Sequence, residues 1–132
     1  MKILIVYSKE GKIEEYADAL RKGAESKGHQ VTMKKASERG DMVSCHPYDL
    51  LIVGSPILGV FGGKIAEDLK PYLSALKRTE GQNSIAFVKR KIFGTDKALR
   101  RLMGVMESQG CIVKDFRGFR SLDEAYQFGR HL

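Results

Sequence analysis

Three short segments of this chain carry residue types that could do chemistry. The first, Ser8-Lys9-Glu10-Gly11-Lys12-Ile13, places a hydroxyl, two ammonium groups, a carboxylate and a glycine within six residues. It lies between an apolar run of strand length and a helical pattern. Unpaired backbone amides and the helix dipole make such a turn a seat for an anion such as phosphate. Ser8 adds a hydroxyl donor, and Gly11 lets the backbone approach closely. The same residues also build an ordinary strand-to-helix turn, and on their own they favour that plainer reading. Neither G-x-G-x-x-G nor G-x-x-x-x-G-K-[ST] occurs, and dinucleotide and nucleoside-triphosphate chemistry therefore find no support.

The second segment is Ser55-Pro56-Ile57-Leu58-Gly59-Val60-Phe61-Gly62-Gly63. An apolar loop with this much glycine suits a flat ligand and a backbone that must approach it. Equally, Ile57, Leu58 and Phe61 would simply cover the end of a sheet. The third is Lys89-Arg90-Lys91-Ile92-Phe93-Gly94, where three cations precede an aromatic ring. Phe93 would either stack on a ligand or anchor its loop. No residue suggests a covalent nucleophile. Cys45 and Cys111 form no C-x-x-C pair and read as reduced thiols. His29, His46 and His131 lack ligand spacing, so no metal site is expected.

The elements that must position these loops alternate along the chain. Lys2–Tyr7 is a nearly continuous apolar run, as in a parallel strand buried on both faces. Ile13, Tyr16, Ala17, Leu20 and Ala24 form a helical stripe that Gly28 closes. Gln30–Lys34 is a polar strand suited to a sheet edge. Residues 36–48 read as a loop broken by Gly40 and Pro47. Residues 49–54 are a buried strand, and Ile65, Leu69, Tyr72, Leu73 and Leu76 a helical stripe interrupted by Pro71. That proline requires either a late helix start or a kink. Ser84–Val88 is a fourth strand, followed by a helix opened by Thr95 or Asp96 and closed near Gly110. Cys111–Phe116 is a fifth strand. Ser121-Leu122-Asp123-Glu124 has the S-x-x-E capping pattern of a last helix, with Leu122, Ala125 and Phe128 facing inward. Such alternation predicts parallel strands in a three-layer α/β sandwich, with ligands at the carboxyl ends of the strands.

Residues 1–132 are enough for one domain with a real core. No apolar run reaches the length of a membrane span, and the N-terminus lacks a secretory pattern. A soluble, cytoplasmic protein is expected. The net charge is +7, and residues 84–120 hold nine Lys and Arg against three acids. This stretch is either a solvated basic face or a docking surface for an acidic partner. No motif accompanies it that would point to nucleic acid.

The run Ile3-Leu4-Ile5-Val6-Tyr7-Ser8-x-x-Gly11 resembles the opening of flavodoxins, where an apolar strand precedes Ser/Thr-x-Thr-Gly-Asn-Thr and a helix. Asp49-Leu50-Leu51-Ile52-Val53-Gly54-Ser55-Pro56 is similar to the third strand of that family and the loop that contacts its flavin ring. The order of the later elements also matches. The resemblance implies a flavodoxin-like fold, with a five-stranded parallel sheet in strand order 2-1-3-4-5. It further implies FMN, and a redox protein that transfers electrons or acts as a small flavin-dependent oxidoreductase. A redox partner protein or a quinone- or porphyrinogen-like substrate would follow. By this resemblance Ser8, Lys9, Glu10, Gly11, Lys12 and Ile13 would hold the phosphate. Ser55, Pro56, Ile57, Leu58, Gly59 and Phe61 would lie on one ring face, and Lys89, Arg90 and Phe93 along another edge.

The chain departs from that family at three positions of the phosphate turn. Glu10 and Ile13 replace hydroxyl residues, and Lys12 replaces Asn. Glu10 would repel a phosphate if it pointed inward. The alternative is a flavodoxin-fold module that has lost FMN and serves as an interaction or regulatory domain. Receiver domains of response regulators share the architecture but need acids after the first and third strands. This chain has Tyr7-Ser8 and Gly54-Ser55 there.

Overall fold

The computed structural model describes residues 1–38 and 43–132. The expected breaker Gly40 lies outside the described residues. Among the described residues five strands run β1 (Lys2–Tyr7), β2 (Gln30–Lys35), β3 (Leu50–Ser55), β4 (Asn83–Lys89) and β5 (Ile112–Phe119). Four helices accompany them among the described residues: α1 (Ile13–Glu25), α2 (Leu69–Ala75), α3 (Thr95–Ser108) and α4 (Leu122–Arg130). All strand pairs are parallel, in the order β2-β1-β3-β4-β5. No helix among the described residues is long and apolar enough to cross a membrane.

Strand alternation sorts the core into two layers. Leu4, Val6, Leu51, Val53, Ala86 and Val88 face α2 and α3, meeting Leu69, Leu73, Leu102 and Met106. Ile3, Ile5, Ile52, Ile85 and Phe87 face α1 and α4, meeting Ile13, Leu20 and Ala125. β1 and β3 are central and almost wholly buried, which explains their unbroken apolar runs. β2 and β5 are edges: β2 is half-buried beyond Gln30, and β5 exposes about half of its residues.

Four details differ from the sequence reading or resolve it. α2 starts late, so Pro71 falls in its first turn, where no amide is required. β5 extends to Phe119; its exposed edge tolerates charges that concealed its length. Neither Thr95 nor Asp96 caps α3. The residue before the helix is Gly94 in a left-handed conformation, with no side-chain cap. The Thr95 hydroxyl instead donates to the Lys91 carbonyl at 2.9 Å and accepts from the Lys91 amide at 3.1 Å. Leu122 is 44% exposed and not inward-facing, because it opens α4 beyond the covered surface. The predicted cap there does form: Ser121 Oγ accepts from the Glu124 amide at 3.2 Å.

Candidate functional site

β1 and β3 end side by side, and the turn after β1 is pinned there by the Ser8 amide donating to the Gly54 carbonyl at 3.1 Å. The Ser8 side chain is fully buried. Its hydroxyl accepts from the Glu10 amide at 3.0 Å and donates to Asp68 Oδ2 at 3.1 Å. The Lys9 amide donates to the same Asp68 oxygen at 3.0 Å. The other carboxylate oxygen of Asp68 is buried and has no hydrogen-bond partner among the described residues. Asp68 is the residue before α2, yet its side chain makes no cap bond to that helix. It crosses to the turn after β1, where amide hydrogens and the start of α1 favour negative charge.

Gly11 and Lys12 are both left-handed, with φ of 63° and 56°. At Gly11 this conformation coincides with close packing: a Cβ there would lie 2.3 Å from Cβ of Pro56. The closeness that Gly11 permits is therefore to the second loop. The Ile13 side chain is fully buried in the core beneath α1, while Lys9, Glu10 and Lys12 are exposed. The Tyr7 hydroxyl donates to Glu14 Oε1 at 3.2 Å. Burial, reinforced by Glu14, pushes its pKa up to about 12.

In the second loop, Ser55 is a structural anchor. Its buried hydroxyl donates to the Pro56 carbonyl at 2.8 Å and accepts from the Ala66 amide at 3.0 Å. Ile57 is buried and Leu58 packs against the core, so these two cover the sheet end. The Leu58 amide donates to the Lys64 carbonyl at 2.7 Å, pinching the loop so that residues 59–63 form its tip. Gly59 is left-handed at the start of that tip, with a φ of 78°. Phe61 does not cover the sheet; it is 65% exposed.

The third loop meets the second directly. The rings of Phe61 and Phe93 lie 4.9 Å apart at an interplanar angle of 55°. Beneath them Gly63 and Gly94 touch: a Cβ on Gly94 would lie 2.9 Å from the Gly63 amide nitrogen. Lys91 Nζ donates to the Gly59 carbonyl at 3.3 Å. Two hollows flank the aromatic pair. One, of about 630 Å³, is lined by Gly59, Val60, Arg90, Ile92, Phe93 and Arg120. The other, of about 490 Å³, includes Phe61, Arg90, Phe93, Lys97 and Arg100. Lys89 stands apart from this group, with Nζ 5.8 Å from the Tyr16 ring centroid on the α1 side.

The fold thus brings Gly11 against Pro56, and Gly59 and Phe61 against Lys91 and Phe93. Sequence reasoning missed Asp68, which touches the turn from sixty residues away. With that carboxylate on Ser8 and Lys9, the turn as built does not fit a phosphate monoester. No cluster of three or more potential metal ligands occurs among the described residues.

No protein-family model and no curated protein matches this sequence. Solved structures do match. Oxidised Flavodoxin 1 from Bacillus cereus is similar with a TM-score of 0.70 and 16% identity, over 98% of this chain and 95% of that one. The two-electron reduced flavodoxin of Megasphaera elsdenii has a TM-score of 0.70 and 14% identity, with both chains covered fully. A flavodoxin from the domain Archaea has a TM-score of 0.68 and 20% identity, over 99% of this chain and 95% of that one. The parallel order β2-β1-β3-β4-β5 and these whole-chain likenesses together show that the chain has the flavodoxin-like fold.

Proposed function

We propose that this chain is a flavodoxin-fold binding module whose phosphate turn is filled by its own Asp68, and that it works through its loop face as an interaction domain. The observation that carries this reading is the pair of hydrogen bonds from Ser8 and Lys9 to Asp68 Oδ2. An FMN phosphate at that position would set a dianion against a carboxylate whose second oxygen is already buried and unpaired. Glu10 adds a second negative charge to the turn, and Ile13 spends its side chain on the core. The test is purification followed by titration of FMN. Colourless protein that leaves FMN fluorescence unchanged supports the reading, and yellow protein that quenches one equivalent overturns it.

A second reading keeps FMN as cofactor. It is favoured by the consecutive left-handed Gly11 and Lys12 ahead of α1 and by the whole-chain likeness to flavodoxins. In that reading Asp68 leaves Ser8 and Lys9, and the backbone of Ser8–Ile13 holds the phosphate. Residues 55–61 and Lys89–Phe93 border the ring, whose redox chemistry the cofactor supplies. The partner is then a redox protein or a small quinone- or porphyrinogen-like substrate. Asp68→Asn separates the two readings: it should raise FMN affinity if the carboxylate is the obstacle.

A further inference from the structure

We infer that the face formed by the second and third loops docks onto an anionic lipid surface. Four of its side chains are large, apolar and open to solvent: Ile92 is 92% exposed, Val60 70%, Phe61 65% and Phe93 54%. They occupy adjacent loop tips beyond the carboxyl ends of β3 and β4. Side chains so apolar and so exposed, gathered at one end of a protein, mark an interaction surface. The tips are also held as one body. The Phe61–Phe93 contact, the Gly63–Gly94 contact and the bond from Lys91 Nζ to Gly59 tie them together.

The charges around them are predominantly positive. Arg90, Lys91, Lys97, Arg100 and Arg120 line the two hollows, with Asp96 as the single acid. Among the described residues none of these cations takes part in a salt bridge. Their placement decides between occupants. Arg90 follows β4, Arg120 follows β5, and Lys97 and Arg100 lie in the first turns of α3. Apart from Lys91, whose ammonium sits at the tip on the Gly59 carbonyl, the cations start from positions next to the strand ends and the first turns of α3, while the apolar side chains stand at the tips. A bilayer has the same order in depth, with anionic headgroups outside and hydrocarbon beneath. Its surface potential draws in Lys and Arg within a Debye length. An acidic protein would satisfy the charges but gives no reason for this layering. The inference rests on the reading in which Asp68 fills the turn after β1 and no flavin ring lies against these loops.

The test is flotation of the full chain with vesicles of phosphatidylcholine alone and of phosphatidylcholine mixed with phosphatidylglycerol. Binding to the mixed vesicles only, weakened by salt, is expected. Ile92→Asp combined with Phe93→Ser should lower partitioning by about tenfold or more. Arg90→Ala combined with Arg120→Ala should weaken binding and flatten its salt dependence. These side chains are exposed, so unchanged circular dichroism should accompany both variants. Wild-type protein that ignores mixed vesicles overturns the inference. So does an apolar variant that partitions like wild type. Capture of soluble polyglutamate by protein that ignores vesicles would assign the face to an acidic protein partner, against the inference.

Discussion

The Ser8 hydroxyl, at the end of the first strand, donates to the carboxylate of Asp68 at the threshold of α2, 3.1 Å away. The Lys9 amide reaches the same oxygen. This contact locks the turn after β1 to the far end of the β3–α2 loop. It gives an internal anion the position that strand-to-helix turns of this fold offer to a ligand.

Removing that anion should cost stability. Asp68→Ala deletes two hydrogen bonds to a charged acceptor, so a loss of about 1–2 kcal/mol is expected. Chemical denaturation measures it. Inorganic phosphate should then raise the melting temperature of the variant more than that of wild type. Equal shifts would mean that the carboxylate and phosphate do not compete.

Gly11 should not tolerate a side chain. Alanine there would have to hold a φ of 63° and push against Pro56. A destabilisation of about 2 kcal/mol is expected from strain and overpacking together. A variant within experimental error of wild type would show that the two loops part easily.

Alkaline pH should unfold the protein through two tyrosines. Burial pushes Tyr7 and Tyr72 up to about 12 from 10.0, with Glu14 adding to the shift at Tyr7 and Glu38 at Tyr72. In this window the unfolded chain releases protons that the folded chain retains. The tyrosine contribution is therefore intact below pH 10 and falls as pH rises towards about 12, while burial of Cys45, which pushes its thiol from 9.0 up to about 11, starts the loss nearer pH 9. Denaturation curves at stepped pH, with tyrosinate absorbance followed in parallel, check the sign. Tyr7→Phe should reduce the slope.

The last helix depends on its cap. Ser121 Oγ accepts from the Glu124 amide, and Glu124 reaches back to the Arg120 amide at 3.3 Å. Ser121→Ala should cost about 1 kcal/mol, read from thermal or chemical unfolding.

Much of this fold is legible in the sequence because buried parallel strands advertise themselves. Leu4, Val6, Leu51 and Val53 leave apolar runs with no polar alternation. The capping box at Ser121 is equally local and equally readable. β5 is less legible, because an edge strand can carry Lys114, Asp115 and Arg117 where a buried strand could not. The start of α3 is not legible in the same way, because Thr95 spends its hydroxyl on Lys91. The site was legible only as loops. An aspartate immediately before Leu69 reads as a helix cap, and nothing local tells that its side chain crosses to Ser8. Likewise, aromatic residues at 61 and 93 suit a ligand platform, but only the fold puts the two rings against each other.

The occupancy of the turn after β1 decides between a flavin-free and a cofactor-bearing fold. Titrating FMN into wild-type protein and into Asp68→Asn, with flavin fluorescence as the readout, tests it. The expectation is no quenching by wild type and a gain of binding when the charge is removed. Stoichiometric quenching by wild type, undiminished by the presence of Asp68, would contradict it.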